Sequence, residues 1–276
     1  MTTISLRKMS NQLDENNQAQ YFLKLIDDAT GLDSEEKISM NEFIGKKLSL
    51  KFLDEINCVA CTRKVKKTFN QGYCYPCMQK LAECDICIVK PELCHYDEGT
   101  CRDNEFAEKN CNIPHIIYCS LTSNPKIGIT RGTNVPHRWI DQGAVAAIKL
   151  VEVKRRKHAG IIESQIAKNF ADKTNWRKML KNEVDDINLQ ELKVDLVNKI
   201  QEIAEVQDLD IRLIDEAPLK INYPVISYPE KIKSHNFDKE PLVEGTLMGI
   251  KAQYLIFDTG VINLRKFAGY RTFVSL

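Results

Sequence analysis

The chain has 276 residues, with 39 Lys/Arg against 38 Asp/Glu, 43% hydrophobic and 28% charged side chains. That balance excludes a disordered chain, and the sequence holds no run of about 18 apolar residues of the kind that spans a bilayer. The opening stretch MTTISLRKMSNQLDENN carries acids and amides where a signal peptide needs an apolar core, so a cytoplasmic protein with no membrane partner is expected.

The near-zero net charge hides an uneven distribution. Residues 1–57 carry 7 basic and 10 acidic side chains, residues 58–114 carry 8 of each, residues 115–185 carry 13 against 6, and residues 186–276 carry 11 against 14. The positive charge is therefore concentrated in one segment, which points to a phosphate-bearing partner, since clustered Lys and Arg gain affinity by releasing condensed counterions. A solvated face is the plainer alternative.

Residues 1–57 read as a β segment. Tyr21 to Ile26 is short and aromatic, and Leu48, Leu50 and Phe52 alternate with polar residues. Residues 58–114 form a cysteine-rich module. All 10 cysteines fall between Cys58 and Cys119. Cys58-x2-Cys61 and Cys74-x2-Cys77 are two knuckles with the spacing of a closed tetrahedral Zn²⁺ site, which leaves no open position for substrate. Cys87, Cys94, Cys101 and Cys111 make a second Cys₄ set, with Cys84 as an alternate ligand, so two structural zinc ions are expected. A reducing compartment favours metal over disulfides. His95 directly follows a presumed ligand and is expected to hydrogen-bond, and Cys119 is expected to be a small buried strand residue.

Residues 115–183 read as an α/β domain. His115–Leu121 and Lys126–Thr130 form a hairpin around Ser-Asn-Pro. Thr133 or Asn134 caps a helix with Pro136 in its first turn and Gly143 at its end. A strand, Ile148–Val153, precedes a helix from about Ala159 that buries Ile162, Ile166 and Phe170. Arg138 and Asp141 lie on one short helix and could pair. Lys154, Arg155, Arg156 and Lys157, together with Arg131, are candidates to bind nucleic-acid phosphates, or else form an ordinary strand-to-helix turn. His115 is a zinc ligand, a site neighbour or a satisfied strand histidine. Residues 184–222 form a helical connector whose Leu189, Leu192, Leu196, Ile200 and Ile203 lay down one apolar stripe. Residues 223–276 are again β-rich, with Asp258-Thr-Gly260 as hairpin punctuation. The two β-rich ends are candidates to pair into a barrel or sandwich.

Tyr118, Ile127-Gly128-x-Thr130 after the hairpin, Arg138, Glu163 and Asn175 resemble the GIY-YIG nuclease domain. The resemblance implies that Tyr118 helps activate water, Arg138 steadies the scissile phosphate, Glu163 holds a single Mg²⁺ or Mn²⁺, and Asn175 fixes the end of the site. The pattern departs from the family at Ile116, where the first motif has glycine, and at Lys126, where the second has tyrosine. Lys126 loses an acceptor and a potential base but adds a phosphate contact.

The longer stretch from Cys58 to about Leu180 is similar to a prokaryotic family known only as a domain of unknown function. The match is carried by Gln71-Gly-Tyr-Cys-Tyr-Pro-Cys77, Cys94-His-Tyr, Gly99-Thr-Cys-Arg102, Pro114-His115, Lys126-Ile-Gly-Ile-Thr-Arg131 and Arg138-Trp-Ile-Asp-Gln-Gly143. The expectation is thus an α+β protein in which a zinc-ribbon-like two-metal module supports a GIY-YIG-like domain. Three functions fit it: a Mg²⁺-dependent endonuclease of DNA or RNA, a catalytically inactive nucleic-acid binder, or a zinc scaffold for a protein partner.

Overall fold

A computed structural model describes residues 2–26, 33–167 and 175–275. It is a mixed α/β structure with several sheets, and it divides into two compact units. One comprises Met1–Gln79, Ile140–Gly143 and Ile221–Leu276, the other Lys80–Trp139 and Ala144–Lys220. The cysteine-rich stretch 58–114 spans the boundary, with Cys58, Cys61, Cys74 and Cys77 in the first unit and the later cysteines in the second.

In chain order, strands β1 (Thr2–Ser5), β2 (Ser10–Leu13), β3 (Ala19–Ile26), β4 (Asp33–Ser39), β5 (Lys47–Asn57) and β6 (Lys64–Val65) precede the short helix α1 (Tyr75–Lys80). Then come α2 (Asn104–Asn110), β7 (His115–Leu121), β8 (Pro125–Arg131), α3 (His137–Gln142), β9 (Ala146–Val153) and α4 (Arg156–Ile166). Last are α5 (Trp176–Leu180), α6 (Leu189–Val206), β10 (Ile211–Leu213), β11 (Leu219–Lys220), β12 (Leu242–Lys251), β13 (Tyr254–Phe257), β14 (Gly260–Asn263) and β15 (Tyr270–Ser275).

In the first unit the sequence termini meet. One sheet runs β1-β15-β5-β12-β13-β14 with β6 beside β5, and a second runs β2-β3-β4. The alternation in β5 explains its central place: Leu50 lies between Val243 of β12 and Val274 of β15, and all three are buried. Phe52 packs its ring 4.8 Å from Tyr270, and Phe237 lies 4.9 Å from Phe267. The expected pairing of the ends holds, but no closed barrel forms among the described residues, and β1 and β14 remain edges. Edge strands of 4 residues each offer few rungs for closure. A register shift between Leu247 and Gly249 also bends β12 towards β13.

The second unit is built on an antiparallel sheet ordered β10-β9-β7-β8, with β11 also on β9. Every residue of β7 is buried, as befits a strand covered on both faces. Ile117, Cys119 and Leu121 face a core shared with Ile127, Ile162, Ile166, Leu196 and Ile200. A bulge opposite Ile117/Tyr118 re-phases β9, so that Ile148 and Leu150 on one side of it and Val151 and Val153 on the other all enter this core. The stripe on α6 behaves as packing, and Asn188 caps that helix by accepting from the amides of Gln190 and Glu191.

Two local expectations are corrected. Thr133 and Asn134 lie in a single 3-10 turn, Gly132–Asn134, two residues ahead of α3, while Gly143 ends α3 in the left-handed region at φ +75°. Helix α4 begins at Arg156, three residues before Ala159, so Arg156 and Lys157 sit in its first turn. Phe170 lies outside the described residues.

Candidate metal centres and a cationic site at Glu163

The first four cysteines are brought together by two tight reversals. After β5, the amide of Cys58 donates to Arg63 O (2.9 Å) and that of Thr62 to Cys58 O (3.0 Å), folding the first knuckle back onto β6. In the second, Asn70 and Gln71 take positive φ, and Gly72 at φ +132° lies where a Cβ would be 2.4 Å from Val59 Cγ1. Only glycine fits there. Cys77 follows on α1. The four sulfurs all lie within 4.8 Å of one another, and Cys61 Sγ is 3.7 Å from Cys74 Sγ. Four thiolates about 2.3 Å from one tetrahedral zinc are about 3.8 Å apart, so the set is compatible with zinc.

The polarity of this pocket already favours thiolate. Burial pushes the Cys58 thiol up, but the amides of Cys61, Cys74 and Ala60 outweigh it and hold the group at about 6. The Cys74 amide donates to Cys58 Sγ at 3.2 Å. Cys77 moves the other way, raised by burial and by its three neighbouring thiols. Repulsion among four sulfurs is what a bound cation relieves.

In the second unit Cys87, Cys94, Cys101 and Cys111 line one small cavity of about 20 Å³ together with Asp85 and His95. Cys84 is buried but does not line it. Oxygen Oδ2 of Asp85 takes Arg102 Nε at 2.6 Å, and Oδ1 accepts the Cys87 amide at 3.3 Å. Asp85, Cys87 and His95 also bring one ligand atom each within 4.8 Å of one another. Nothing in the Cys-His spacing had singled out Asp85. His95 hydrogen-bonds, as expected, through Nδ1 to Thr100 Oγ1 at 2.7 Å.

Glu163 is the other centre of the second unit. It projects from α4 in a half-buried setting, and burial raises its carboxyl to about 7 against the lowering effect of Lys126, Arg138 and Arg156. Glu92 adds a second negative charge. Glu92 is delivered by close packing: a Cβ on Gly160 of α4 would lie 2.5 Å from Pro91 Cβ and 2.7 Å from the Glu92 nitrogen. A carboxyl perturbed by burial among several cations is a functional-site candidate. Tyr118 is fully buried, with its ring 5.7 Å from that of Trp139. Its hydroxyl passes so close to Gly128 that a Cβ there would be 2.6 Å away. It has no surface from which to activate water.

The remaining predicted residues disperse. Asn175 is exposed and caps α5, its side-chain oxygen accepting from the Lys178 amide at 3.2 Å, so its role is local. Arg155 forms a fork on Asp97 at 2.6 and 3.0 Å, Lys157 reaches the same carboxylate at 3.3 Å, and Lys154 pairs with Asp210. Arg156 donates to Ile88 O at 2.7 Å and Arg131 to Asn110 Oδ1 at 2.6 Å. The five residues expected to form a phosphate edge thus each have a partner distant in sequence, an acid or a carbonyl oxygen. Asp141 does not pair with Arg138, since it takes Asn11 Nδ2 at 2.8 Å, Gln253 Nε2 at 2.9 Å and an ion pair with Lys8.

Cys119 is buried in β7, as expected, and burial pushes its thiol to about 12. His115 is half-satisfied: Nδ1 meets Ile113 O at 2.8 Å, Nε2 is buried without a partner among the described residues, and burial holds the ring at about 4.

No helix among the described residues is long and apolar enough to cross a membrane. No curated protein and no solved structure matches the chain. One family model matches over residues 45–272, most of the chain, and by it the chain belongs to the family described as Protein of unknown function (DUF2797).

Proposed function

We propose that the chain is a zinc-stabilised nucleic-acid-binding protein whose β8-β7-β9 sheet and α4 form a divergent GIY-YIG-like domain, one that holds a phosphodiester at Lys126 and Arg138 without a resident catalytic metal. The observation that carries this reading is the position of half-buried Glu163 on α4, where the charges of Lys126, Arg138 and Arg156 act on its carboxyl. The hairpin β7–β8, the helix after it, the return strand β9 on the other side of β7 and the following helix α4 are the element order that the resemblance implies.

The residues do not fit a Mg²⁺ or Mn²⁺ on Glu163. Three cations and the carboxylate of Glu92 act on Glu163, so the carboxylate charge is already offset, and a divalent ion would meet repulsion that Lys126 intensifies. An ammonium in the motif position of a phenol cannot accept a proton, and Tyr118 is buried. The same charges suit a phosphate: Lys126 supplies a compact cation and Arg138 a planar fork for two oxygens. Protonation of Glu163 removes a negative charge from beside the phosphate, so binding tightens as pH falls through about 7.

The test is anisotropy titration of labelled single- and double-stranded DNA and RNA without added Mg²⁺ or Mn²⁺, with a parallel cleavage assay in Mg²⁺ and Mn²⁺. Salt-sensitive binding without cleavage is expected. Metal-dependent cleavage abolished by Glu163→Ala would instead restore the endonuclease, and a flat response to salt counts against any nucleic-acid reading. Retention of a protein partner after nuclease treatment, with no nucleic-acid affinity, would favour the scaffold.

A further inference from the structure

We propose that Cys87, Cys94, Cys101 and Cys111 hold a second metal ion as four thiolates, with Asp85 and His95 as its outer partners and Arg156 as its counter-charge. The four cysteines come from separate short stretches of chain and line one cavity. Cys87 lies in the turn Ile86–Ile88, and Cys94 directly follows the turn Pro91–Leu93 that docks on Gly160. Cys101 precedes α2, and Cys111 closes that helix. The intervening chain offers little apolar core, and Ile86, Val89 and Leu93 are all more than half exposed. Single turns with so little buried surface need a cross-link, and a metal supplies it as folding free energy.

Asp85, Cys87 and His95 are the competing ligand set. The carboxylate is committed elsewhere. Its Oδ2 bonds Arg102 at 2.6 Å, its Oδ1 caps the Cys87 turn, and His95 Nε2 stands 3.5 Å from that same Oδ1 while Nδ1 is taken by Thr100. Both groups therefore orient ligands in place of serving as ligands. A cavity of about 20 Å³ has room for one ion.

Binding releases each remaining thiol proton to solvent and leaves a centre of net charge −2. The guanidinium of Arg156 acts on both Cys87 and Cys111, and the Arg156 amide donates to Cys111 O at 2.8 Å. That cation is thus anchored at the metal centre while also facing Glu163.

The experiment is elemental analysis of the full-length chain produced with excess zinc, together with Cys61→Ser, Cys94→Ser, Cys101→Ser, Asp85→Asn and His95→Gln. The expected result is two zinc ions per chain in the parent, Asp85→Asn and His95→Gln, and one in each cysteine variant. One zinc in the parent, absent from Cys61→Ser, overturns the proposal. So does loss of an ion in Asp85→Asn or His95→Gln while Cys101→Ser keeps two. Because a misfolded cysteine variant reports nothing on ligation, Co²⁺ titration of the metal-free parent reads thiolate number directly. Sulfur-to-cobalt absorption that grows equally with the first and second equivalents supports two four-thiolate sites, and a second equivalent that adds none contradicts them.

Discussion

The two cysteine clusters show how differently the same ligand can be written into a chain. In Cys58, Cys61, Cys74 and Cys77 each pair has only two residues between its members, and the sulfurs converge within 4.8 Å. In Cys87, Cys94, Cys101 and Cys111 every thiol comes from a different element, and its position depends on packing as remote as Gly160. The first geometry is local and the second is tertiary. Disruption should therefore stay local in the first case and spread to the Glu163 site in the second.

The largest effect is expected from metal removal. Structural zinc contributes on the order of 10 kcal/mol to small metal-folded modules. A chelator stronger than EDTA, or Cys61→Ser, should abolish cooperative folding of residues 58–77, followed by hydrogen exchange at the amides of Cys58, Val59 and Thr62. Unchanged protection would break the comparison at its stronger end. Next comes Gly160→Leu, which forces a side chain into Pro91 and Glu92. It should cost about 1–3 kcal/mol by overpacking, read as a lower denaturant midpoint, and should also disturb the turn before Cys94.

How much of this was legible follows from what is local. The knuckles, the hairpin β7–β8 and the stripe on α6 each announce themselves within a few residues, so spacing and period suffice. The bulge in β9 does not, because four apolar residues reach one face only after the alternation slips. Nor does the placement of β5 between β12 and β15, strands far apart from it in sequence, as the pairing of Leu50 with Val243 and Val274 shows. The basic run Lys154–Lys157 looked like a phosphate edge because its neutralising partners, Asp97 and Asp210, are far away in sequence. Asn175 is a contrary case: an asparagine before Trp-Arg-Lys carries an ordinary cap signal, and the family resemblance drew it into a site it does not join.

Smaller effects sharpen the contrast between engaged cations and those at Glu163. Lys126→Ala and Arg138→Ala should each weaken polyanion binding roughly 10-fold and lower the salt slope by about one. Lys154→Ala should leave affinity within about two-fold, because that side chain is committed to Asp210. If Lys154→Ala proves the more damaging, the edge and not the Glu163 site meets the phosphate.

Glu163→Gln should have a pH-dependent effect. The folded carboxyl near 7 lies above its ordinary value of 4.5. The folded state therefore binds the extra proton between those values, and its stability falls as pH rises through that window. The variant should match the parent near pH 4.5 and exceed it by up to about 3 kcal/mol at pH 8. Thermal melts at both pH values decide it, and equal differences would show that the carboxyl is not perturbed.

Polyanion affinity without added Mg²⁺ or Mn²⁺, measured for the parent and for the double variant Lys126→Ala/Arg138→Ala, decides most directly whether these two side chains hold phosphate. Salt-sensitive binding by the parent is expected, with a loss of roughly 100-fold in the double variant. Binding that requires Mg²⁺, or that survives the double substitution unchanged, would contradict it.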